Sequence, residues 1–338
     1  MIGGKRMKIA ILGAGAMGSL FGGLLSEAGA SVTLLDVNQQ QIDAIRKDGL
    51  RLETDGIDTD GREGDGCRVV RLTACRPEEA TDVPDLLMIF TKTYQIEAAL
   101  GSARHLLGPA TWVLTLQNGL GNVEAIAAFV PRERILAGVT TIPADALGPG
   151  SVRSHGGGQV RIGAADGTGA HRANGHASSG CCMLCHVVAL FIRAGLCCSA
   201  DPNVWAAIWE KVAFNAAFNA LCAVTGCTVE QIELVPAGPK MALAVVAETI
   251  AVAHACGVSA DLDHTQAMVL ESFKTHAGHQ PSMLQDILAH RRTEIDSING
   301  AIVRAAAQHD IAVPHTEMLA TLVRLMEARL LADSRAAH

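Results

Sequence analysis

The sequence contains no long run of basic residues and no long run of apolar residues. Its 338 residues include 27 Lys and Arg against 34 Asp and Glu, a formal net charge of −7 at pH 7. An acidic chain without a basic cluster does not suit nucleic acid or an anionic membrane surface, so both are excluded as partners. A membrane-spanning helix needs about 20 consecutive apolar residues, a length that no stretch reaches. The first apolar segment, residues 9–12, is too short for a secretory signal. We therefore expect a cytoplasmic protein.

Metal-ligand spacing is also missing. The chain has ten cysteines, five of them between residues 181 and 198. Cys182-Met-Leu-Cys185-His186 has the spacing of a haem-attachment motif, but that chemistry needs export and no export signal is present. A zinc site would need a second ligand pair at a set spacing, which Cys197-Cys198 does not supply. The lone pair His276-x-x-His279 lies in a polar loop. We expect neither metal nor haem.

The clearest local pattern is a strand, a glycine turn, a helix, a second strand and an acid within residues 8–36. In such a unit the first glycine permits a tight turn and the second lets a pyrophosphate approach the backbone. The third lets the helix pack on the strand, and the helix N-terminus faces the phosphates. The pattern predicts a dinucleotide site. The predicted cofactor-binding residues of the turn are Gly13, Ala14, Gly15, Ala16, Met17 and Gly18.

Asp36 ends the second strand, 23 residues after Gly13. This is close to the spacing at which an acid binds the adenosine ribose 2′-hydroxyl of a dinucleotide. A carboxylate there repels a 2′-phosphate, and no Arg or Lys follows before Arg46. These residues favour NADH over NADPH.

Alternation of strands and helices continues to residue 139 and predicts an α/β domain with a Rossmann-type, doubly wound parallel sheet. We expect residues 151–155 and 159–163 to form an antiparallel addition at the sheet edge, joined by the turn Gly156-Gly-Gly158. From residue 201 only helices are predicted, at 203–224, 228–234, 239–256, 261–276, 282–309 and 314–332. The predicted division is a dinucleotide-binding domain at 7–200 and an all-helical substrate and catalytic domain at 201–332.

The first predicted helix of the second domain carries Lys211, Asn215 and Asn219 at i, i+4 and i+8, so they share one face. A buried lysine or amide without a partner is costly. The face is therefore either a polar seam against another helix or a site in which the lysine serves as a catalytic acid.

Two later positions have simpler interpretations beside a functional one. Ser282, with Gln285 three residues on, forms a capping-box pattern, so capping alone would explain it. Glu294 and Asp296 lie among apolar residues and would be solvated if they face outward from a helix.

Together these stretches resemble the ketopantoate reductase (2-dehydropantoate 2-reductase) family from Lys8 to about Arg329. The motifs that carry the resemblance are Gly13-x-Gly15-x-x-Gly18, Thr91-Lys92-x-x-Gln95, Gln117-Asn118-Gly119, Trp209-x-Lys211-x-x-x-Asn215-x-x-x-Asn219, Ser282-Met-Leu-Gln-Asp286 and Arg292-Thr-Glu294-Ile-Asp296-x-x-Asn299-Gly300.

The resemblance implies NADPH-dependent reduction of ketopantoate to pantoate, on the route to pantothenate and coenzyme A. It also implies a role for each matching residue. Lys211 would be the general acid, Asn118 would hold cofactor and substrate near the reacting carbonyl, and Asn215 and Asn219 would bind the substrate hydroxyl. Ser282 would bind the substrate carboxylate, Lys92 would contact the cofactor, and Glu294 would place Lys211 and the nicotinamide ribose.

The chain departs from the family at Asp36, where the common NADPH enzyme has a basic residue. Three hypotheses follow: a ketopantoate reductase, an NAD-dependent 2-hydroxyacid dehydrogenase of the same fold acting on another 2-oxo acid, and a nucleotide-sensing protein without catalysis. Asn215 and Asn219, which suit a hydroxyl-bearing substrate, favour the first. The sequence leaves open whether the protein is a monomer or a homodimer.

Overall fold

A computed structural model describes residues 6–54, 66–167, 183–275 and 278–336. The chain divides into two compact units, one of residues 1–117 and 122–204 and one of residues 118–121 and 205–338. This division differs from the predicted one in two places. It falls between Val204 and Trp205, and it assigns residues 118–121 to the helical unit. These four residues group there because the backbone N–H of Leu120 donates to the carbonyl of Ser297 at 2.8 Å.

Among the described residues, the first unit contains two sheets and five α-helices. Its strands are β1 Lys8–Leu12, β2 Ser31–Leu35, β3 Leu50–Thr54, β4 Gly66–Val70, β5 Thr73–Cys75, β6 Leu86–Ile89, β7 Trp112–Thr115, β8 Ile135–Thr140, β9 Asp145–Gly148, β10 Ser151–Ser154, β11 Val160–Ala164 and β12 Cys198–Ala200. Its helices are α1 Ala16–Glu27, α2 Gln39–Asp48, α3 Ile96–Ser102, α4 Asn122–Ala127 and α5 Met183–Arg193.

The larger sheet has the order β12-β11-β8-β7-β6-β1-β2-β5. Its six neighbouring strands β8, β7, β6, β1, β2 and β5 all run parallel to one another. The predicted doubly wound fold is confirmed. Strands buried on both faces are apolar throughout, as in β6, where all four residues are buried. The strand order reverses between β1 and β6, and ligands of such sheets bind beyond the carboxyl ends of the strands at that point.

The predicted hairpin of residues 151–155 and 159–163 is wrong. In the smaller sheet, ordered β4-β3-β10-β9, β10 runs parallel to β3 and antiparallel to β9. Only Pro149 and Gly150 separate β9 from β10, so the short connection forms the hairpin there. The expected antiparallel addition to the larger sheet is present but consists of β11, which pairs with β8.

The second unit is helical. Its helices are α6 Val204–Thr225, α7 Ala237–Ala255, α8 Leu262–Thr275, α9 Ser282–Leu288, α10 Asn299–Gln308 and α11 Pro314–Ala336. In the described part of the chain, none of the helices combines the length and the apolar character that crossing a membrane would require.

The predicted helix at 282–309 is wrong, because residues 289–298 separate α9 from α10. The chain turns at His290, whose φ is +52°, and the N–H of Arg291 donates to the carbonyl of Asp286 at 2.8 Å, which closes the end of α9. Ile295 and Ile298 are buried all the same. Their burial explains why the apolar spacing concealed the break.

Candidate active site

The glycine turn between β1 and α1 packs tightly against neighbouring backbone at Gly13 and Gly18 and has open space at Gly15. Gly13 has a φ of +95°, and a Cβ there would lie 2.8 Å from the backbone N of Thr91. A Cβ on Gly18 would collide with the carbonyl of Gly13, whereas one on Gly15 would meet no atom within 4 Å. Gly15 also precedes α1, whose first backbone N–H groups have no partner within the helix. Open space above an exposed helix N-terminus fits a pyrophosphate.

Asp36 joins this turn to the end of β2. Its Oδ2 accepts from the N–H of Ala14 at 2.6 Å, and its Oδ1 accepts from the N–H of Asn38 at 2.8 Å. The N–H of Gly13 donates to the carbonyl of Leu35 at 2.8 Å. A carboxylate oxygen can accept more than one hydrogen bond, so Asp36 can hold the turn and still accept from a ribose hydroxyl.

The polar residues that follow β6 and β7 lie beside the glycine turn. Gln117 Nε2 donates to the carbonyl of Thr91 at 2.5 Å, and Gln95 Oε1 accepts from the N–H of Lys92 at 3.2 Å. Lys92 is half-buried. The structure therefore groups the Thr91–Gln95 motif with Gln117 and Gly13 at the carboxyl edge of the sheet.

The sequence interpretation missed a cation at this edge. Arg76 follows β5, and the N–H of Asp36 donates to the carbonyl of Cys75 at 3.2 Å, so Asp36 and Arg76 stand at the ends of neighbouring strands. Arg76 Nε donates to Gln39 Oε1 at 3.0 Å. The sequence interpretation counted basic residues along the chain from Asp36 to Arg46 and so missed Arg76, which the pairing of β5 with β2 brings beside Asp36.

In the helical unit, Lys211 lies on α6 in surroundings that disfavour its charge. Burial lowers the pKa of its ammonium from 10.5 to about 8, although the nearby carboxylate of Glu294 acts to raise it. Asn215 is half-buried on the same helix, and Asn219 is buried. Such a lysine can give up a proton near neutral pH.

Glu294 comes from the irregular connection between α9 and α10. Its side chain is not solvated, since the residue is only 8% exposed, so the interpretation as an outward-facing helix charge is wrong for it. Its carbonyl accepts from the N–H groups of Ser297 and Ile298 at 3.1 and 3.0 Å. Asp296 does face solvent and accepts from Arg324 Nε at 2.8 Å.

Asn118 begins the four-residue segment that groups with the helical unit. The next residue, Gly119, has a φ of +82°, and a Cβ there would lie 2.8 Å from the carbonyl carbon of Ser297. With the bond from Leu120 to Ser297, this close approach fixes the backbone beside Asn118 against the connection that carries Glu294.

Asn299 adds a second link to that connection. It is fully buried, and its Nδ2 donates to the carbonyl of Ala216 on α6 at 3.1 Å. The bond ties the start of α10 to the helix that carries Lys211. Asn299 appeared in the sequence only as a motif position; its burial and its partner need the structure.

Ser282 is exposed at the first position of α9. The residue before the helix is Pro281, and no side chain caps it. The capping-box interpretation of Ser282 is therefore wrong, and its hydroxyl is not used for that purpose.

The described residues contain no group of three or more His, Cys, Asp or Glu placed to hold a metal ion. Cys185 and Cys197 are exposed, and burial raises the pKa of Cys198 to about 12. Cys181, Cys182 and His276 lie outside the described residues.

Comparisons with known proteins agree on one family. Residues 9–167 match the family ketopantoate reductase PanE/ApbA, and residues 203–327 match its C-terminal domain. A 2-dehydropantoate 2-reductase of Streptococcus pyogenes serotype M3 is 34% identical over 325 residues, 96% of this chain and 99% of that protein.

Solved structures give the same result for the fold. D-Mandelate dehydrogenase in its ternary structure with NADH and anilino(oxo)acetate superposes with a TM-score of 0.85 at 32% identity, covering 96% of this chain and 99% of that one. The 2-dehydropantoate 2-reductase of Geobacter metallireducens gives 0.83 at 30% identity, covering 94% and 99%. The chain belongs to the ketopantoate reductase family PanE/ApbA.

Proposed function

We propose that this protein is a 2-dehydropantoate 2-reductase that reduces ketopantoate to pantoate with a nicotinamide dinucleotide, and that Lys211 is its general acid. The observation that carries the proposal is the lysine itself. In a chain of this family, it lies on α6 with a pKa lowered to about 8 by burial and with Glu294 nearby. The family relationship supports the reaction class.

The dinucleotide, when bound, supplies the hydride. As the substrate carbonyl is reduced, its oxygen gains negative charge, and Lys211 Nζ stabilises that charge and donates a proton to it. Glu294 favours the ammonium form and so keeps the proton on Nζ until it is needed. Asn118, whose backbone is held through Gly119, positions the reacting carbonyl.

The remaining substrate contacts follow from the chemistry of ketopantoate, which carries a hydroxyl and a carboxylate. Asn215 and Asn219 present amides on the same helix as Lys211 and bind the hydroxyl. Ser282, exposed and without a capping role, binds the carboxylate.

We propose that residues 13–18, Asp36 and Lys92 of the first unit bind the dinucleotide; the roles of Asn118 and Glu294 toward it are those that the family resemblance implies. Asp36 follows β2 and has room to accept a further hydrogen bond, as from a ribose 2′-hydroxyl, so we expect NADH to outperform NADPH. Asp36→Arg should reverse or narrow that preference. An unchanged ratio of the rates with NADH and NADPH in Asp36→Arg would contradict this role of Asp36.

A second function within the family is an NAD-dependent 2-hydroxyacid dehydrogenase that acts on another 2-oxo acid. Two observations favour it: Asp36, and the similarity to D-mandelate dehydrogenase solved with NADH. Steady-state kinetics with both cofactors on ketopantoate, benzoylformate and 2-oxo-isovalerate separate the two. A tenfold or larger preference for either of the other acids would defeat the ketopantoate assignment.

A nucleotide-sensing role without catalysis is the third hypothesis, and the half-buried Lys211 near Glu294 argues against it. Tight binding of NADH with no turnover of any 2-oxo acid would favour it. That the protein is cytoplasmic, and either a monomer or a homodimer, remains a prediction.

A further inference from the structure

The basic side chain of Arg76 follows β5, beside the end of β2 where Asp36 stands. β5 pairs with β2 in parallel, with Leu35 opposite Cys75, so the residues that follow these two are neighbours at the carboxyl edge. Arg76 is half-buried, and its side chain is directed to the start of α2 by a 3.0 Å hydrogen bond from Nε to Gln39 Oε1. Gln39 lies only three residues after Asp36.

The surrounding groups fix this direction. Gln39 Nε2 donates to Asp43 Oδ1 at 2.8 Å, which leaves Gln39 Oε1 to face Arg76. The other nearby acid, Glu79, already accepts from Arg46 Nη2 at 2.6 Å and from the backbone N–H of Arg76 at 3.3 Å. The Arg76 guanidinium helps to lower the pKa of Glu79, after the larger effect of the hydrogen bond from Arg46. Among the described residues it forms no salt bridge, and only its Nε makes a hydrogen bond. Its two Nη groups are therefore available to a ligand.

The net charge at the ends of β2 and β5 is less negative than Asp36 alone would make it. Asp36 contributes one negative charge, and both of its oxygens already accept from backbone N–H groups. Arg76 contributes one positive charge beside it. A 2′-phosphate on a ribose held at Asp36 would meet a carboxylate on one side and a guanidinium on the other. Guanidinium groups form strong, two-pronged hydrogen bonds to phosphate, and an arginine near the ribose is how dinucleotide sites accept NADP.

We infer that Arg76 binds the 2′-phosphate of NADPH, so that the site accepts both dinucleotides although Asp36 favours NADH. The inference rests on the proposed function only in that a dinucleotide binds at the glycine turn. It makes Arg76 a specificity-determining residue that acts at the adenosine end, away from the reacting atoms. Asp36 makes the site prefer NADH over NADPH, and Arg76 reduces the difference between the two affinities.

The test is equilibrium binding without turnover, with the full chain and isothermal titration calorimetry. The ligands are ADP-ribose and 2′-phospho-ADP-ribose, which differ only in the group at issue. We expect Arg76→Gln to weaken binding of 2′-phospho-ADP-ribose by about tenfold or more, the size of a lost charge-assisted hydrogen bond. Binding of ADP-ribose should change less than twofold.

Arg71→Gln is the matched control, since Arg71 is exposed just before the other end of β5 and donates to the carbonyl of Lys47 at 3.1 Å. It removes the same charge from the segment before β5, where Arg76 follows it, and should alter the affinity for neither ligand by more than twofold. Arg76→Lys, which keeps the charge, should recover part of the affinity for 2′-phospho-ADP-ribose. It also provides a folded variant if the glutamine variant loses its thermal transition.

Equal weakening of both ligands by Arg76→Gln, or no change in either, would overturn the inference and leave the nucleotide site intact. A control variant that matched the effect of Arg76→Gln would overturn it as well, because the effect would then be one of net charge. Binding of neither ligand to the unaltered protein would remove the site itself. Failure to turn over any 2-oxo acid, with selective binding as expected, would defeat the proposed function alone.

Discussion

The pH dependence of reduction tests Lys211 most directly. Burial lowers the pKa of its ammonium from 10.5 to about 8, which corresponds to about 3 kcal/mol against the charged form at roughly 1.36 kcal/mol per pKa unit. Reduction needs the protonated amine. We therefore expect kcat/KM for the 2-oxo acid to be flat below pH 8 and to fall about tenfold per pH unit above it. A lysine with an ordinary pKa would keep the rate level to beyond pH 10.

The pH dependence of the reverse reaction and the effect of Glu294 both test the direction of the pKa shift of Lys211. Oxidation of the hydroxy acid needs the neutral amine, so its kcat/KM should rise up to about pH 8 and then level. Glu294 raises the pKa of Lys211 against the effect of burial, so Glu294→Gln should move both breakpoints to lower pH. Between about pH 8 and 10.5 the unfolded chain binds the lysine proton and the folded chain does not. The contribution of Lys211 to stability is therefore unfavourable below pH 8 and improves as the pH rises through that interval.

The assay is initial-rate kinetics from pH 6 to 10 with the unaltered protein and two variants. Lys211→Ala should lower turnover by roughly 10²–10⁴ while leaving dinucleotide affinity nearly unchanged. Lys240→Ala, at an exposed lysine of α7, should match the unaltered protein. A loss smaller than tenfold in Lys211→Ala would remove Lys211 as the acid, and so would a breakpoint near pH 8 that persisted without it.

Two further predictions concern the helical unit. Gly119→Ala should lower kcat at least tenfold more than Gly121→Ala. Both glycines have a positive φ, +82° and +88°, so an alanine at either position incurs a similar strain of about 1–2 kcal/mol. Only the Cβ at position 119 would also collide with Ser297. Equal losses of kcat in the two variants would show that backbone strain alone matters. Glu248→Gln should lower the unfolding free energy by about 1–3 kcal/mol in denaturant titrations. Burial alone would raise the pKa of Glu248, but hydrogen bonds from Thr316 and His315 lower it below 4.5. The loss of unfolding free energy in Glu248→Gln should therefore be complete above pH 4.5 and disappear in acid. An unchanged denaturant midpoint at neutral pH would contradict the prediction.

The first unit could be predicted from sequence where local pattern and fold agree. Apolar strands, the glycine turn and the acid at Asp36 each specify a backbone conformation within a few residues, and together they fix the doubly wound sheet. The pairing of β5 with β2 is not local. β5 has only three residues inside a polar stretch, so Arg76 could be placed beside Asp36 only once the strand order was known.

The helical unit shows a different kind of error. Apolar residues at helical spacing predict a helix whether or not the backbone is continuous, and Ile295 and Ile298 are buried in either case. What ends α9 is a hydrogen bond from Arg291 back to Asp286 and a left-handed residue at His290. Neither has a distinctive sequence signal, since the residue in the left-handed conformation is not a glycine.

The break between α9 and α10 is also what makes the candidate site possible. In a continuous helix, the carbonyl of Ser297 would accept from the N–H four residues later and would not be available to another segment. Because residues 289–298 are irregular, that carbonyl accepts from Leu120 at 2.8 Å and so fixes the backbone beside Asn118. The same connection carries Glu294 into a buried position near Lys211. One departure from the regular helix thus holds two of the proposed catalytic groups, and local pattern and structure are expected to disagree at functional sites.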